Sequence, residues 1–271
     1  MTSHAPEDIV RRATAAFNTG RRDDARKLCE QGLIGSPGEP MMSHLLAAVL
    51  FASGEIEAAR GHIEASLKRR PDNAAGRLLA GRLARTAGDF DRALSHLDHM
   101  IAIAPQREAF VEKARTLDQA GLRPQARLAW SAILEVVPDN VEAVARLGRL
   151  AWEDGETGIA AKFLERAAQK DAPASVWFDL GLVRQDLRDD AGAAAAYRKA
   201  IELKGDHAEA TFNLGVVLQE TGALDEAMRA YAKAYRLRPE SFGKIAMALT
   251  SASHGGLWLD EAALRRGLDG E

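Results

Sequence analysis

The residues best suited to metal chemistry in this chain are His96 and His99, with Asp98 between them. They stand three apart, one helical turn, a spacing at which two imidazoles can share a metal ion. His62 lies 34 residues before His96. A zinc ion needs further ligands and an outer shell to orient them, and the position of His96 is one that normally faces solvent. The expected metal content is therefore none. Cys29 is the only cysteine, which excludes an internal disulfide and any multi-cysteine zinc or iron–sulfur site. Lys68, Arg69 and Arg70 precede Pro71, where cations complement the C-terminal dipole of a helix. The chain has no glycine-rich phosphate loop, no Gly-x-Ser-x-Gly and no His-Glu-x-x-His. We expect no catalytic residues and no cofactor.

A different chemistry is carried by arginines. Arg82, Arg115 and Arg149 recur at intervals of 33 and 34 residues, with Arg85 and Trp152 beside them. A guanidinium receives a carboxylate through two parallel hydrogen bonds, so such a ladder suits acidic groups. Glu108, Asp118, Glu142 and Glu153 lie nearby in sequence. The ladder is therefore either a receptor for a partner's acidic side chains or a surface neutralised from within.

The interval of the arginines belongs to a repeat that runs through most of the chain. The clearest copy is Ala208 to Ser241, with Leu214-Gly215, Gly222, Ala227, Tyr231, Ala234 and Pro239. With Ala208 as position 1, steps of 34 residues, twice 33, recover the frame back to the N-terminus. Position 8 is Ala13, Ala47, Gly81, Ala114, Gly148, Gly181 and Gly215. Position 15 is Gly20, Gly54, Gly88, Gly121, Gly155, Arg188 and Gly222. Position 20 is always alanine, from Ala25 to Ala227. Position 24 is Cys29, Ile63, Leu97, Trp130, Leu164, Tyr197 and Tyr231. Position 32 is Pro37, Pro71, Pro105, Pro138 and Pro239, with Ala172 and Gly205 as departures.

This pattern resembles the tetratricopeptide repeat family, whose motif has small residues at 8, 20 and 27, a bulky one at 24 and proline at 32. Trp177 with Leu180-Gly181 is similar to its tryptophan–leucine–glycine opening. The resemblance implies an all-α fold, a right-handed superhelical solenoid of antiparallel helix hairpins. Each repeat reads as helix A, a turn, helix B and a second turn. Glycine at 15 ends helix A because it tolerates a left-handed backbone. Proline at 32 stops helix B, since it lacks an N–H and clashes with the preceding turn. Small residues at 8 and 20 let the two backbones approach with no side chain between them, and the bulky residue at 24 fills space between hairpins. One hairpin cannot bury its apolar face alone, so stacking supplies the core.

The organisation expected is an N-terminal tail at 1–5, then seven repeats at 6–39, 40–73, 74–106, 107–140, 141–173, 174–207 and 208–241. Capping helices follow at 242–271. Within that last stretch Ser241–Leu249 reads as a helix and Asp260 as the N-cap of another over Glu261–Leu268. Trp258 either seals the last hairpin or stands exposed as an anchor for a partner.

Positions 2, 5, 9, 12 and 13 of helix A share one face, which in the family usually holds a partner's segment. Repeats one and two place Val10, Phe17, Met41, His44 and Phe51 there; repeats three to five place Arg82, Arg85, Arg115, Arg149 and Trp152. Repeats six and seven add Phe178, Gln185, Asp186, Phe212 and Glu220. The expected partner is a protein or peptide with acidic residues flanked by apolar anchors. The family's carboxylate clamp needs lysines and asparagines at set places, and Asn18 and Asn213 are isolated here.

With 36 basic and 39 acidic residues the net charge is −3, which gives no field of the kind nucleic-acid binders carry. No run of about 18 apolar residues suggests a membrane span. The N-terminus lacks a basic segment followed by an apolar one, so it does not read as a secretory signal. These features, with alanine- and arginine-rich usage, point to a cytoplasmic, bacterial scaffold or adaptor. Self-assembly into a homo-oligomer and regulation of an enzyme supplied in trans are the alternatives.

Overall fold

Glycine at position 15 is answered directly by the backbone. In the computed structural model Gly20, Gly54, Gly88, Gly121, Gly155 and Gly222 all have φ between 71° and 82°. Each follows a helix by two residues, and the next residue closes the end: the Glu55 N–H donates to Leu50 O at 2.9 Å, the paired-bond ending that a left-handed residue permits. The seventh turn takes the same course without glycine, at Arg188 with φ 61°.

The structure describes residues 6–169, 171–251 and 261–269, and no strand occurs among them. Expectations on the N-terminal tail, the Trp258 segment and the Asp260 cap lie outside these residues. The chain divides into two compact units, residues 1–133 and 134–271. The first contains α1 (Pro6–Asn18), α2 (Arg22–Gly35), α3 (Pro40–Ala52), α4 (Ile56–Arg69), α5 (Ala74–Thr86), α6 (Phe90–Ile103) and α7 (Arg107–Gln119). Helix α8 (Arg123–Val136) carries the chain across the division. The second contains α9 (Val141–Glu153), α10 (Thr157–Ala167), α11 (Ala174–Asp186), α12 (Asp190–Leu203), α13 (Ala208–Glu220) and α14 (Leu224–Leu237). A short 3₁₀ turn, Pro239–Ser241, leads into α15 (Phe242–Ser251), and α16 (Glu261–Asp269) follows.

Helix starts are set by local chemistry. The Glu39 carboxylate accepts from the Met42 N–H at 2.6 Å ahead of Pro40. Asn140 accepts from Ala143 and Asp189 from Gly192, both at 2.9 Å. Each bond satisfies an amide that the first turn leaves unpaired.

In each unit a helix packs on its successor, so that hairpins such as α3–α4 and α11–α12 also lie against the next hairpin. Ala13, Ala25, Ala47, Ala59 and Ala93 are fully buried in the first unit, as are Ala160, Ala193 and the larger Leu164 and Tyr197 in the second. Helix α16 lies against α14. Its Leu264 and Leu268 enter the same apolar cluster as Tyr231 and Ile245, and the Arg236 guanidinium donates to Leu268 O at 3.2 Å.

Two details depart from the expected physics. A side chain does lie against position 8. A Cβ placed on Gly181 would stand 2.4 Å from Cε1 of Tyr197, and one on Gly215 2.7 Å from the Tyr231 ring. The glycine therefore makes room for the ring at position 24 of its own hairpin. That ring is tied to helix A by its hydroxyl, Tyr197 to Gln185 at 2.9 Å and Tyr231 to Gln219 at 2.8 Å. Proline at 32 is also not required for the stop. Helix α12 ends at Leu203, position 30 of its repeat, with Gly205 at position 32, just as α14 ends at position 30 with Leu237. The Lys204 N–H still bonds Ala200 O there. Helix α10, with Ala172 in place of proline, ends three positions earlier.

Candidate functional site: the A-helix walls

The three arginines of the ladder and the neighbouring Arg85 each meet carboxylates of this same chain. In the first unit Arg82 reaches Glu108 at 2.5 Å and Glu112 at 3.2 Å. Arg85 meets Glu112 at 3.2 Å and donates to Gln119 at 3.0 Å. Arg115 meets Glu112 at 2.7 Å from its own helix. The Glu112 side chain is only 3% exposed, so three guanidiniums compensate one buried carboxylate. A buried carboxylate without such partners would cost several kcal/mol.

In the second unit Arg149 is chelated by Glu153 at 3.1 Å and Asp179 at 2.7 Å and lies over the Trp152 ring, 5.1 Å from its centroid. The indole N–H of Trp152 donates to Asp186 at 2.6 Å. Of the two readings of the ladder, internal neutralisation is the one these contacts follow. Glu108 and Glu153 are among the partners expected from the sequence, whereas Glu112 and Asp179 are not. The missed signal is a spacing. Arg82 to Glu112 and Arg149 to Asp179 are both thirty residues, position 9 of one helix A against position 6 of the next.

The apolar residues expected on the first unit's wall are divided between core and surface. Phe17 and Phe51 are half-buried against the cluster of Leu46, Leu50 and Ile63. Val10 is half-buried and Met41 exposed. His44 is half-buried near Asn73, 3.5 Å away, and burial pushes its pKa below the ordinary imidazole value.

In the second unit Phe178 and Phe212 are half-buried and face a concavity. A cavity of about 930 Å³ opens along α9, α11 and the start of α13, lined by Val141, Ala145, Val176, Phe178, Arg149 and Asp179 among others. A second cavity of about 380 Å³ adjoins it, sharing Phe178 and Glu209 and reaching Phe212 and Lys244. Phe178 stacks with His207 at 4.8 Å between centroids. Burial raises the Asp179 carboxyl above the usual carboxylate range, and the Arg149 guanidinium only partly offsets it. Periodicity points to Arg149, Phe178 and Phe212 but not to Val176 or Asp179, which line the cavity from positions 3 and 6 of α11.

The remaining chemical candidates are engaged separately. His99 meets Asp72 at 3.0 Å, while His96 is 3.2 Å from the Arg77 guanidinium. No group of three metal-ligating side chains gathers among the described residues. Cys29 is fully buried, and burial pushes its thiol up to about 11. No described helix is long and apolar enough to cross a membrane.

Comparison with known proteins places this architecture. The chain is 28% identical to human tetratricopeptide repeat protein 34 over 191 residues, 61% of this chain and 34% of that protein. It thus spans about a third of that relative's length. The crystal structure of MamA superposes with a TM-score of 0.53 at 26% identity, covering 59% of this chain and 95% of MamA. The crystal structure of the APC/C hetero-tetramer Cut9–Hcn1 gives a TM-score of 0.70 at 14% identity, covering 88% of this chain and 48% of that one, a likeness of fold alone. The tetratricopeptide repeat family model matches residues 44–108, 111–175 and 178–242 in succession. With its paired helices, its glycine turns and these three matches, the chain belongs to the tetratricopeptide repeat family.

Proposed function

We propose that this chain is a non-catalytic scaffold or adaptor that holds a segment of a partner protein on its A-helix walls. The tetratricopeptide fold generally mediates protein–protein interaction. The observation that carries the reading here is the pair of adjoining cavities of about 930 and 380 Å³ along α9, α11 and α13. They join apolar side chains to a few fixed polar groups, the composition of a recognition site. Side chains at a binding wall stay half-exposed where a core would bury them, as Phe178 and Phe212 do.

An acidic partner segment is the second reading, suggested by the arginine ladder. It requires partner carboxylates to displace Glu108, Glu153 or Asp179 from guanidiniums they already hold at 2.5–3.1 Å. Self-assembly of the chain is a third.

The test is an affinity capture from the native host, read by mass spectrometry, comparing wild type with Ala145→Arg, which fills the larger cavity, and with Arg82→Gln. Partners lost only on Ala145→Arg support the trough. Partners lost on Arg82→Gln support the acidic reading. Equal capture by all three, with each variant folded, rejects both walls. Light scattering over a range of concentrations tests self-assembly directly.

A further inference from the structure

Among the described helix caps, one changes its hydrogen-bonding role near neutral pH. Glu39, Asp89, Asn140 and Asp189 accept from the amides of Met42, Arg92, Ala143 and Gly192. These are carboxylates and a side-chain amide, which stay acceptors down to about pH 4. At the start of α13 the same place is taken by His207, whose Nδ1 accepts from the Ala210 N–H at 3.3 Å. A backbone amide can only donate, so this bond requires Nδ1 without a proton and a neutral imidazole, its hydrogen on Nε2. Protonated at both nitrogens, the ring has no lone pair to offer, and its charge lies at the end of a helix where the dipole disfavours cations. The Ala210 amide then loses its partner.

The charges around the ring come from several elements of the second unit. Its own turn brings Lys204 and Asp206, the first turn of α13 brings Glu209, and Arg238 follows the end of α14. Phe178 of α11 stacks on the ring, 4.8 Å between centroids. The larger cavity, which His207 lines, adds Glu142, Arg146 and Arg149 of α9, Asp171 before α11 and Asp179 within it. Burial, then Lys204 and Arg238, lower the pKa of the imidazole, while Glu209 and Asp206 act the other way. With the folded value lowered, the capping bond is complete above about pH 6.5 and is lost as pH falls through the folded value. What the cap holds bears on the trough. Ala208 and Glu209 in the first turn of α13, and Phe212 after them, line the smaller cavity, and Phe178 and Glu209 line both.

We propose that His207 is an acid-sensitive latch on the trough: uptake of a proton at Nδ1 breaks the cap on α13, loosens its first turn and alters the lip that Phe178 and Glu209 form between the two cavities. A segment lying there, which rests on the partner-binding reading, is held at neutral pH and released in mild acid. The latch itself belongs to this chain alone and is tested without a partner.

The experiment is a titration of the full chain by heteronuclear NMR between about pH 7.5 and 5. It follows the His207 ring nitrogens, the amides of Ala208, Glu209, Ala210 and Thr211, and the hydrogen-exchange protection of those amides corrected for the intrinsic effect of pH. The expected result is an Ala210 amide that moves with the same midpoint as the His207 ring. Protection of the turn should fall roughly fivefold across that midpoint, the effect of one lost N-cap bond. His207→Asn, which caps without titrating, should hold protection constant, and His207→Ala should leave it low at every pH. An Ala210 amide that ignores the titration of the ring overturns the latch. So does a pH dependence undiminished in His207→Asn, which would belong to other groups. Capture of partners at pH 7.5 and 5.5 then separates the two readings. Partners sensitive to Ala145→Arg that stay bound at pH 5.5 overturn the release. Absence of any such partner at pH 7.5 overturns the partner-binding reading, while the latch is decided by the amides.

Discussion

Gly181→Ala sets two physical effects against each other at one atom. Alanine is favoured over glycine inside a helix by up to about 1 kcal/mol, and Gly181 lies within α11, so propensity alone calls for stabilisation. The new Cβ would, however, stand 2.4, 2.5 and 2.9 Å from Cε1, Cδ1 and Cζ of Tyr197, far inside the roughly 3.5–4.0 Å at which carbons attract. The ring is fully buried and its hydroxyl is bonded to Gln185, so it has no free direction in which to retreat. Overpacking of this kind costs about 1–3 kcal/mol, and it should outweigh the gain in propensity. We expect a net loss of about 1–2 kcal/mol, which lowers the melting temperature by roughly 2–8 °C in a chain of this size. The decisive comparison is the same change in a Tyr197→Ile background. The first unit already pairs Ala47 with Ile63 at these positions, both buried, so alanine should be accommodated there. Tyr197→Ile is itself destabilising, through a cavity and an unpaired Gln185. In that background Gly181→Ala should become neutral or stabilising, a coupling of at least about 1 kcal/mol. The assay is thermal unfolding of the four variants by far-UV circular dichroism, with Gly205→Ala, whose Cβ would meet nothing within 4 Å, as control. An equal penalty in both backgrounds would refute the contact with Tyr197 as the reason for glycine at position 8.

Arg188→Gly should stabilise the chain by about 1 kcal/mol, since a non-glycine residue at φ 61° bears a left-handed penalty of that order; an unchanged or lower melting temperature argues against it. Gly88→Ala, at φ 79°, should do the reverse by a similar amount. Glu112→Gln should destabilise by about 2–3 kcal/mol, because three guanidiniums lose the buried charge they surround, and urea unfolding unaffected by the change would show the cluster to be incidental. Cys29 should resist alkylation in the native chain at pH 8, because the thiol is buried and deprotonates only as pH rises through about 11; reaction with a maleimide should require unfolding, and rapid native labelling would contradict the burial.

The helices, their turns and their family were legible in the sequence because each depends on a short stretch of chain. A glycine two residues past helix A needs only its own φ to be recognised, and an alanine at position 20 reports a close approach repeated in every hairpin. Even the failure at Arg188 was visible as the one break in a column of glycines. The pairing of the arginines was not, because a guanidinium chooses among carboxylates on its own helix and on the next. Glu108, Glu112 and Asp118 are comparable candidates until stacking brings position 9 of one helix A to position 6 of its successor. The trough was hidden for the same reason. Periodicity assigns a side chain to a face of one helix, whereas Val176 and Asp179 line a concavity whose walls come from α9, α11 and α13 together. Local backbone rules therefore determined what the chain builds. Only tertiary packing decided which charges neutralise one another, since those pairings depend on distances between residues 26 to 30 positions apart on successive A helices.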